Sequence, residues 1–534
     1  MTETPATADT APHPVDRRDR RDRRTRPDRW LVILAALGVL GLLSRLLWLW
    51  HPTDDGTPVF DEKHYVPQSW QVLRGTEGGG GLLVGGIEDN PAYGLVVHPP
   101  LAKHLEALGM AVFGNNPWGW RVVVALLAVG VILLIAATAR RLSGSDWVGL
   151  TAGILALCDG ILFVTGRSAM LDHYQAFFVV LAVYLLLRDH AQMEQLFRRV
   201  AVEGRITDSA LGPRVGFRWW RFAAGAALGC ALAVKWSGLY YMAFFGVAVV
   251  AVDWWRRRRH GVARPFTGTL VRDCVPAFAS VVLVPVAVYL LSWRSWFASE
   301  TGVFRHEAAA GSDRISSWGL DFLPDTWLSF IYYHVSVLGF HAELTNSNGH
   351  HHPWESKPWD WLASTRALLY HSVSDDSGHR QVVLLIGTPA IWWLSVPVLL
   401  WGLWRVIGRR DMRWLVPLVG YAAGFLPWLL NVDRQMYLFY ATNLAPFLIL
   451  GLALVLGQVS GWAVRPGGAS APSRPLHPAV AEARHLFLTK TGMLLTVAYL
   501  VLVVWMFLFF LPVFTGMPLT DGQWQLRMWL PGWT

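Results

Sequence analysis

RWLVILAALGVLGLLSRLLWLW (residues 29–50) is apolar for long enough to cross a bilayer, and FDEKHY (residues 60–65) follows it after about ten residues. The first stretch makes this a membrane protein. The second places two adjacent carboxylates, Asp61 and Glu62, at a membrane face that an apolar chain has no structural reason to charge. A solvated loop explains such a pair equally well if nothing else in the chain answers it, so the reading depends on the other charges near the membrane.

The composition agrees with a membrane-embedded chain. Of 534 residues, 53% are hydrophobic, only 16% are charged and 30 are Trp, with a mean hydropathy of +0.35. A soluble globular protein of this length is excluded. The net charge of +9 does not indicate nucleic acid, because the arginines cluster in short segments beside apolar runs, as in cytoplasmic membrane loops. Cys158, Cys230 and Cys274 lie in or beside apolar runs without metal-ligand spacing and read as small packing residues.

Residues 1–28 interleave Arg with Asp, Thr, Ala and Pro and read as a disordered basic tail held in the cytoplasm. No cleavage site follows the first apolar run, which is therefore span one rather than a signal peptide. Further runs fall at about 119–139, 147–165, 169–187, 220–235, 237–254, 272–293, 382–404, 412–430, 437–457 and 487–512, making eleven spans. With the tail cytoplasmic, strict alternation puts Arg140-Arg141, Arg188 to Arg221, Arg256 to Arg259, Arg405 to Arg413 and Arg465 to Lys490 on the cytoplasmic side as well. The expected organisation is an N-terminal membrane module at 29–293 containing an external loop at 51–118, a second external loop at 294–381, C-terminal spans at 382–512, and an external tail at 513–534. Loops of that length without a domain of their own are usually functional.

On this topology the charges near span ends converge on the outer face. They are Asp61-Glu62, the segment His98-Pro99-Pro100-Leu101-Ala102-Lys103, Arg121, Arg167 with Asp172, Lys235, and Arg434 in NVDRQMYLFY. Each costs several kcal/mol at such a position unless it meets a cavity or a partner. Each also has a plainer reading. Arg121 and Lys235 serve as interfacial snorkelers on that view, Arg167 and Asp172 as a structural pair, and Arg434 as a partner of Asp433. His350, His351 and His352 beside His341 and Glu343 raise a metal site, but consecutive histidines do not all turn to one ion. Trp354, Trp359 and Trp361 read as an interfacial belt, with a sugar platform as the alternative.

An outward carboxylate pair with several outward cations suits a reaction whose leaving group is an anion carried in the membrane. A lipid phosphate leaves from a sugar without being protonated, because Lys and Arg offset its charge in a water-poor pocket. One carboxylate then suffices, taking the proton of the incoming hydroxyl. Glycoside hydrolysis, by contrast, needs a second carboxylic acid for a poor leaving group.

FDEKHYVPQSW after the first span, HPPLAKHL before the second, WGWRVVVAL, RSAMLDHYQAFF, AVKWSGLY and the external HPWESKPWDWL together resemble the motif series of the protein O-mannosyltransferases in their bacterial, actinobacterial-type form. The resemblance runs from about residue 30 to the last span. It implies an all-α polytopic membrane protein of the glycosyltransferase C-type fold, a polyprenyl-phosphate-mannose donor, and Ser or Thr hydroxyls of secreted or membrane proteins as acceptors on the outer face of the plasma membrane. Eukaryotic relatives carry a β-trefoil domain in the large loop, and residues 294–381 are too few to hold one. Unfolded secreted chains as acceptors bring the Sec translocon into view as a partner.

Carried over residue by residue, the resemblance makes Asp61 the general base and Glu62 its neighbour that positions the acceptor or a cation. Arg121 and Lys235 resemble the lipid-phosphate clamp, and His98, Lys103, Asp172, His352 and Glu355 line an external vestibule with Arg167 nearby. Arg434 is added to the phosphate group on topology and charge cost alone. No cofactor is required on this reading and nothing in the sequence supports a divalent cation. Two other classes remain open. Another C-type glycosyltransferase with a glycolipid or arabinan acceptor would share the outward carboxylates, although no WWDYG string of the oligosaccharyltransferase type is present. A secondary transporter would place its charges near the midplane in broken helices.

Overall fold

The computed structural model describes residues 28–75, 83, 85–90, 95–374, 378–462 and 478–534. The basic tail and the Pro/Ser/Ala-rich segment from 463 to 477 lie outside the described residues.

Eight helices are long and apolar enough to cross a membrane, and three shorter apolar helices accompany them among the described residues. Each of the eleven runs read from the sequence falls on one of these. In chain order, α1 is Arg29–Leu46, α2 Glu62–Arg74, α3 Leu101–Phe113, α4 Pro117–Ser143, α5 Asp146–Leu157, α6 Leu171–Val202, α7 Trp219–Val234 and α8 Gly238–Arg259. After these come α9 at Pro265–Ser292, α10 at Asp325–Glu343, α11 at Pro389–Arg409, α12 at Met412–Leu430, α13 at Ala445–Val459 and α14 at Pro478–Thr515. The chain is a multi-pass membrane protein.

One expectation fails locally. The run 382–404 is not one span, because its first residues belong to an antiparallel hairpin, β1 (Leu368–Ser374) with β2 (Arg380–Leu385), and α11 starts only at Pro389. RQVVLLI is β-branched and short, and Gly387 with Pro389 stops a helix from running back into it. The segment between α9 and α11 therefore ends in a strand pair.

Local chemistry sets the helix ends. Asn116 accepts from the backbone N–H groups of Trp118 and Gly119 at 3.0 and 3.2 Å, Pro117 opens α4, and Gly144 closes it in a left-handed turn. Asp146 then takes Arg29 and Arg140 at 2.8 and 2.6 Å, tying the start of α1 to the α4–α5 turn. Farther along, Arg218, Arg221 and Arg256 gather round Asp189 and Asp253. α3 lies hard against α4, since a Cβ on Gly109 would stand 2.2 Å from the Gly119 carbonyl.

Candidate active site

The segment leading to the carboxylates is anchored by two arginines. α1 ends at Leu46 with carbonyls that no further turn of helix can satisfy. Arg167 supplies the missing donors: its Nη1 lies 3.1, 2.9 and 2.7 Å from the carbonyls of Ser44, Arg45 and Leu47, and its Nη2 is 2.9 Å from that of Trp48. Arg121 continues the support, with Nη1 3.1 Å from the Leu49 carbonyl and Nη2 2.9 Å from that of Pro52. Arg167 is therefore a cap for α1, and with Arg121 and Tyr370 it also lines a cavity of about 310 Å³.

At the start of α2 the two carboxylates part company, as adjacent helical residues about 100° apart must. Glu62 turns inward and is fully buried. Its Oε1 accepts from Arg121 Nε at 2.7 Å and the Ala169 N–H at 2.8 Å, and its Oε2 from Arg121 Nη2 at 2.6 Å and the Val59 N–H at 3.1 Å. Four donors saturate the carboxylate, and all three guanidinium nitrogens of Arg121 are engaged. The expectation for Glu62 is thus corrected, since it has no oxygen left for an acceptor or a cation, while Arg121 is held by Glu62 and two carbonyls with one Nη1 N–H uncommitted at the edge of the same cavity of about 310 Å³.

Asp61 is the opposite case. It occupies the N-cap of α2, yet its side chain makes no capping bond, and among the described residues no group donates to its carboxylate. It is half-buried. Burial pushes its carboxyl up to about 7, with the Lys235 ammonium opposing and the Asp172 charge adding to the rise. A carboxylate that is uncommitted, partly accessible and poised near neutrality has the properties of a general base.

Lys235 and Asp172 face it from two other helices. Lys235 directly follows α7, and its Nζ donates to Asp172 Oδ1 at 2.9 Å while lying 4.9 and 5.0 Å from the ring centres of Phe439 and Tyr440. Asp172 stands in the first turn of α6, where the helix N-terminus favours an anion. One turn on, Gln175 donates to the carbonyls of Ala231 and Lys235 at 3.1 and 2.9 Å and accepts from Ser237 and Asn443, which fixes the backbone around the lysine. Of this group, Gln175, Ser237, Tyr440 and Asn443 line a cavity of about 230 Å³, together with Tyr240, Tyr241, Gly424 and Trp428.

Arg434 and His98 close the group. Arg434 Nη2 donates to His341 Nδ1 at 3.1 Å, its guanidinium covers the Trp428 ring at 5.7 Å, and among the described residues it has no carboxylate partner. Its Nε is buried without a hydrogen bond among the described residues. Asp433 instead accepts from the Ser347 N–H. The His98 ring lies 5.7 Å from that of His341 and 6.1 Å from that of Tyr65. Burial first, then the nearby Lys235 and other cations, hold the His98 imidazole well below its ordinary range; His341 is pushed down to about 4 by burial and Arg434. Both rings are neutral at physiological pH.

The remaining candidates lie elsewhere. Lys103 is buried, donating to the carbonyls of His98 and Pro99 at 2.5 and 3.2 Å. It pins the HPP turn and does not line a vestibule, because its ammonium is spent on main-chain oxygens. His352 accepts from the Trp354 N–H at 3.1 Å and packs its ring on Tyr437, and Glu355 accepts from Asn346 at 2.9 Å. Both belong to a loop tied to Arg434 through Lys357, whose Nζ is 2.9 Å from the Arg434 carbonyl. No group of three or more His, Cys, Asp or Glu among the described residues is arranged to hold a metal ion. Sequence reasoning missed Gln175, although its position three residues after Asp172 on one helix face was a usable signal. It also missed Asn443 and Tyr440, which nothing local marks.

Comparison with known proteins bears on this geometry. Residues 90–298 match the family model described as dolichyl-phosphate-mannose-protein mannosyltransferase, and residues 326–533 match the C-terminal four-transmembrane region of protein O-mannosyltransferase. The polyprenol-phosphate-mannose–protein mannosyltransferase of Corynebacterium glutamicum is 50% identical over 497 residues, 92% of this chain and 91% of the relative. The enzyme of the same name from Mycobacterium tuberculosis is 45% identical, covering 92% of this chain and 89% of the relative. Among solved structures, the Saccharomyces cerevisiae protein O-mannosyltransferase Pmt1–Pmt2 complex bound to the sugar donor superposes with a TM-score of 0.69 over 97% of this chain and 94% of that one, at 16% identity. Matched in both halves and half-identical to a relative over nearly its whole length, the chain belongs to the protein O-mannosyltransferase family, glycosyltransferases of the C-type membrane fold.

Proposed function

We propose that this chain transfers mannose from polyprenyl-phosphate-mannose to Ser or Thr hydroxyls of secreted or membrane proteins on the outer face of the plasma membrane, with Asp61 as the base. The observation that carries the reading is the division of labour at 61–62. Glu62 is saturated by four donors, while Asp61 next to it is uncommitted and held near neutrality beside a buried Lys–Asp pair.

In a single displacement the acceptor oxygen attacks the anomeric carbon as the bond from that carbon to the phosphate oxygen breaks. The electron pair stays on the phosphate and the hydroxyl proton passes to Asp61. The phosphate leaves as an anion and needs no acid, so a second titratable carboxyl is unnecessary. Lys235 and Arg434 are the cations suited to the growing charge. Lys235 is held by Asp172 and Gln175, and among the described residues Arg434 has no carboxylate of its own. No cofactor enters this scheme.

The arginine distribution supports a cytoplasmic N-terminus and an external site. In this reading the acceptors are chains still unfolded as they leave the Sec translocon. The test is incubation of the purified protein with radiolabelled polyprenyl-phosphate-mannose and a Ser/Thr peptide. Label on the peptide, lost on mild alkaline elimination, is expected. Label only on a glycolipid would assign the chain to another acceptor class, and no transfer with intact donor binding would remove the reading.

A further inference from the structure

Phe60, the residue before the candidate base, has φ of 50°. A bulky residue avoids this left-handed region unless its surroundings impose it, and such outliers concentrate where geometry is functional. The surroundings here come from the other half of the chain. The Phe60 ring stacks on that of Tyr370 with centres 4.6 Å apart and planes 19° from parallel, and meets the edge of Phe439 at 6.4 Å.

Tyr370 is itself placed by an irregularity. The register of β1 on β2 runs Leu369 with Leu384 and then His371 with Val383, so Tyr370 is the extra residue of a β-bulge. Bulges re-aim side chains next to active sites. The tyrosine is buried, among the described residues its hydroxyl has no hydrogen-bond partner, and Asp172, Asp61 and Glu62 are the carboxylates whose charge it feels.

We propose that Tyr370 is a positioning residue for Asp61: the bulged hairpin of the C-terminal half clamps Phe60 in its left-handed conformation and thereby aims the carboxylate at the reacting hydroxyl. The catalytic segment, in the N-terminal half, is then incomplete without the hairpin. The inference rests on the reading of Asp61 as base.

The experiment measures kcat and donor KM for Tyr370→Phe, Tyr370→Leu, Phe60→Gly and the double variant Phe60→Gly/Tyr370→Leu, with Asp61→Asn as control and monodispersity in detergent as the folding check. Leu keeps most of the volume but cannot stack. Tyr370→Phe is expected to retain near-normal kcat. Tyr370→Leu should lose about ten- to a hundredfold in kcat, the scale of misplacing a reacting group by about an ångström, with donor KM nearly unchanged. Glycine adopts positive φ without strain, so the Tyr370→Leu loss should shrink in the Phe60→Gly background. Full kcat in a folded Tyr370→Leu variant would overturn the proposal, as would equal losses in Phe and Leu, or strict additivity in the cycle. An active Asp61→Asn variant would instead strike the assignment of the base, whatever Tyr370 does.

Discussion

Arg121 grips Glu62 through two parallel hydrogen bonds, Nε to Oε1 at 2.7 Å and Nη2 to Oε2 at 2.6 Å, with both side chains out of contact with water. Removing one partner leaves the other charge buried and alone, which typically costs about 3–5 kcal/mol. Arg121→Ala and Glu62→Gln should therefore lower the thermal transition sharply. Arg121→Lys should recover only part of the loss, because an ammonium cannot reproduce the fork or reach the carbonyls of Leu49 and Pro52. Donor KM in whatever folded fraction remains should be close to normal. A stable Arg121→Ala protein with greatly raised donor KM would return the arginine to the phosphate.

Asp61→Asn keeps the shape of the side chain and removes its basicity. Loss of a general base costs on the order of 10² to 10⁴ in rate, and donor binding, followed by equilibrium retention of labelled lipid, should persist. Near-normal turnover would take Asp61 out of the mechanism.

The same carboxyl sets a pH dependence. With its pKa at about 7, kcat should fall as the pH drops below 7, because the base becomes protonated. Stability runs the other way. The folded state holds a proton that the unfolded state has released between pH 4 and 7, so stability declines as pH rises through that window. Asp61→Asn carries no charge to bury and should melt higher than wild type above pH 7, by an increment of about 1–2 kcal/mol once partial exposure and screening are allowed for. Identical melting curves at pH 8 would mean that the carboxylate is well solvated.

Lys235 and Arg434 should separate on mutation. Lys235→Ala strands Asp172 in the core, so it should lose both stability and rate, and Lys235→Ala/Asp172→Asn should regain stability without regaining rate. Arg434→Ala removes no carboxylate partner and should leave the melting temperature within a few degrees while lowering kcat on the order of tenfold or more, as expected of a cation meeting charge that develops in the transition state. Steady-state rates against donor concentration, alongside melting curves, check both.

The sequence shows the spans, because hydropathy and arginine placement report them directly, and it shows which charged residues sit at span ends. It does not show what each charge touches. Arg121, Arg167 and Lys103 carry the same one-dimensional signal as Lys235, yet the first pairs with Glu62, the second caps a helix and the third pins a turn. Their partners lie in segments that only the packed helices bring together, and several of those partners are backbone carbonyls, which no side-chain pattern encodes. The hairpin was illegible for a related reason, since RQVVLLI runs straight into the apolar residues of α11 and periodicity cannot divide so short a stretch. Tyr370 escaped notice because its place depends on a bulge.

The grip of Arg167 and Arg121 on the approach to Asp61 falls on main-chain oxygens of Ser44, Arg45, Leu47, Trp48, Leu49 and Pro52. Such a grip is blind to side chains. Buried Arg45 and Leu49 remain fixed by their own contacts, exposed positions such as Leu47 can drift in identity, and a one-residue insertion there would slide every carbonyl off its donor. The first membrane helix thus acts as a length gauge for the segment that carries Asp61, more sensitive to a change of spacing than to a change of an exposed side chain.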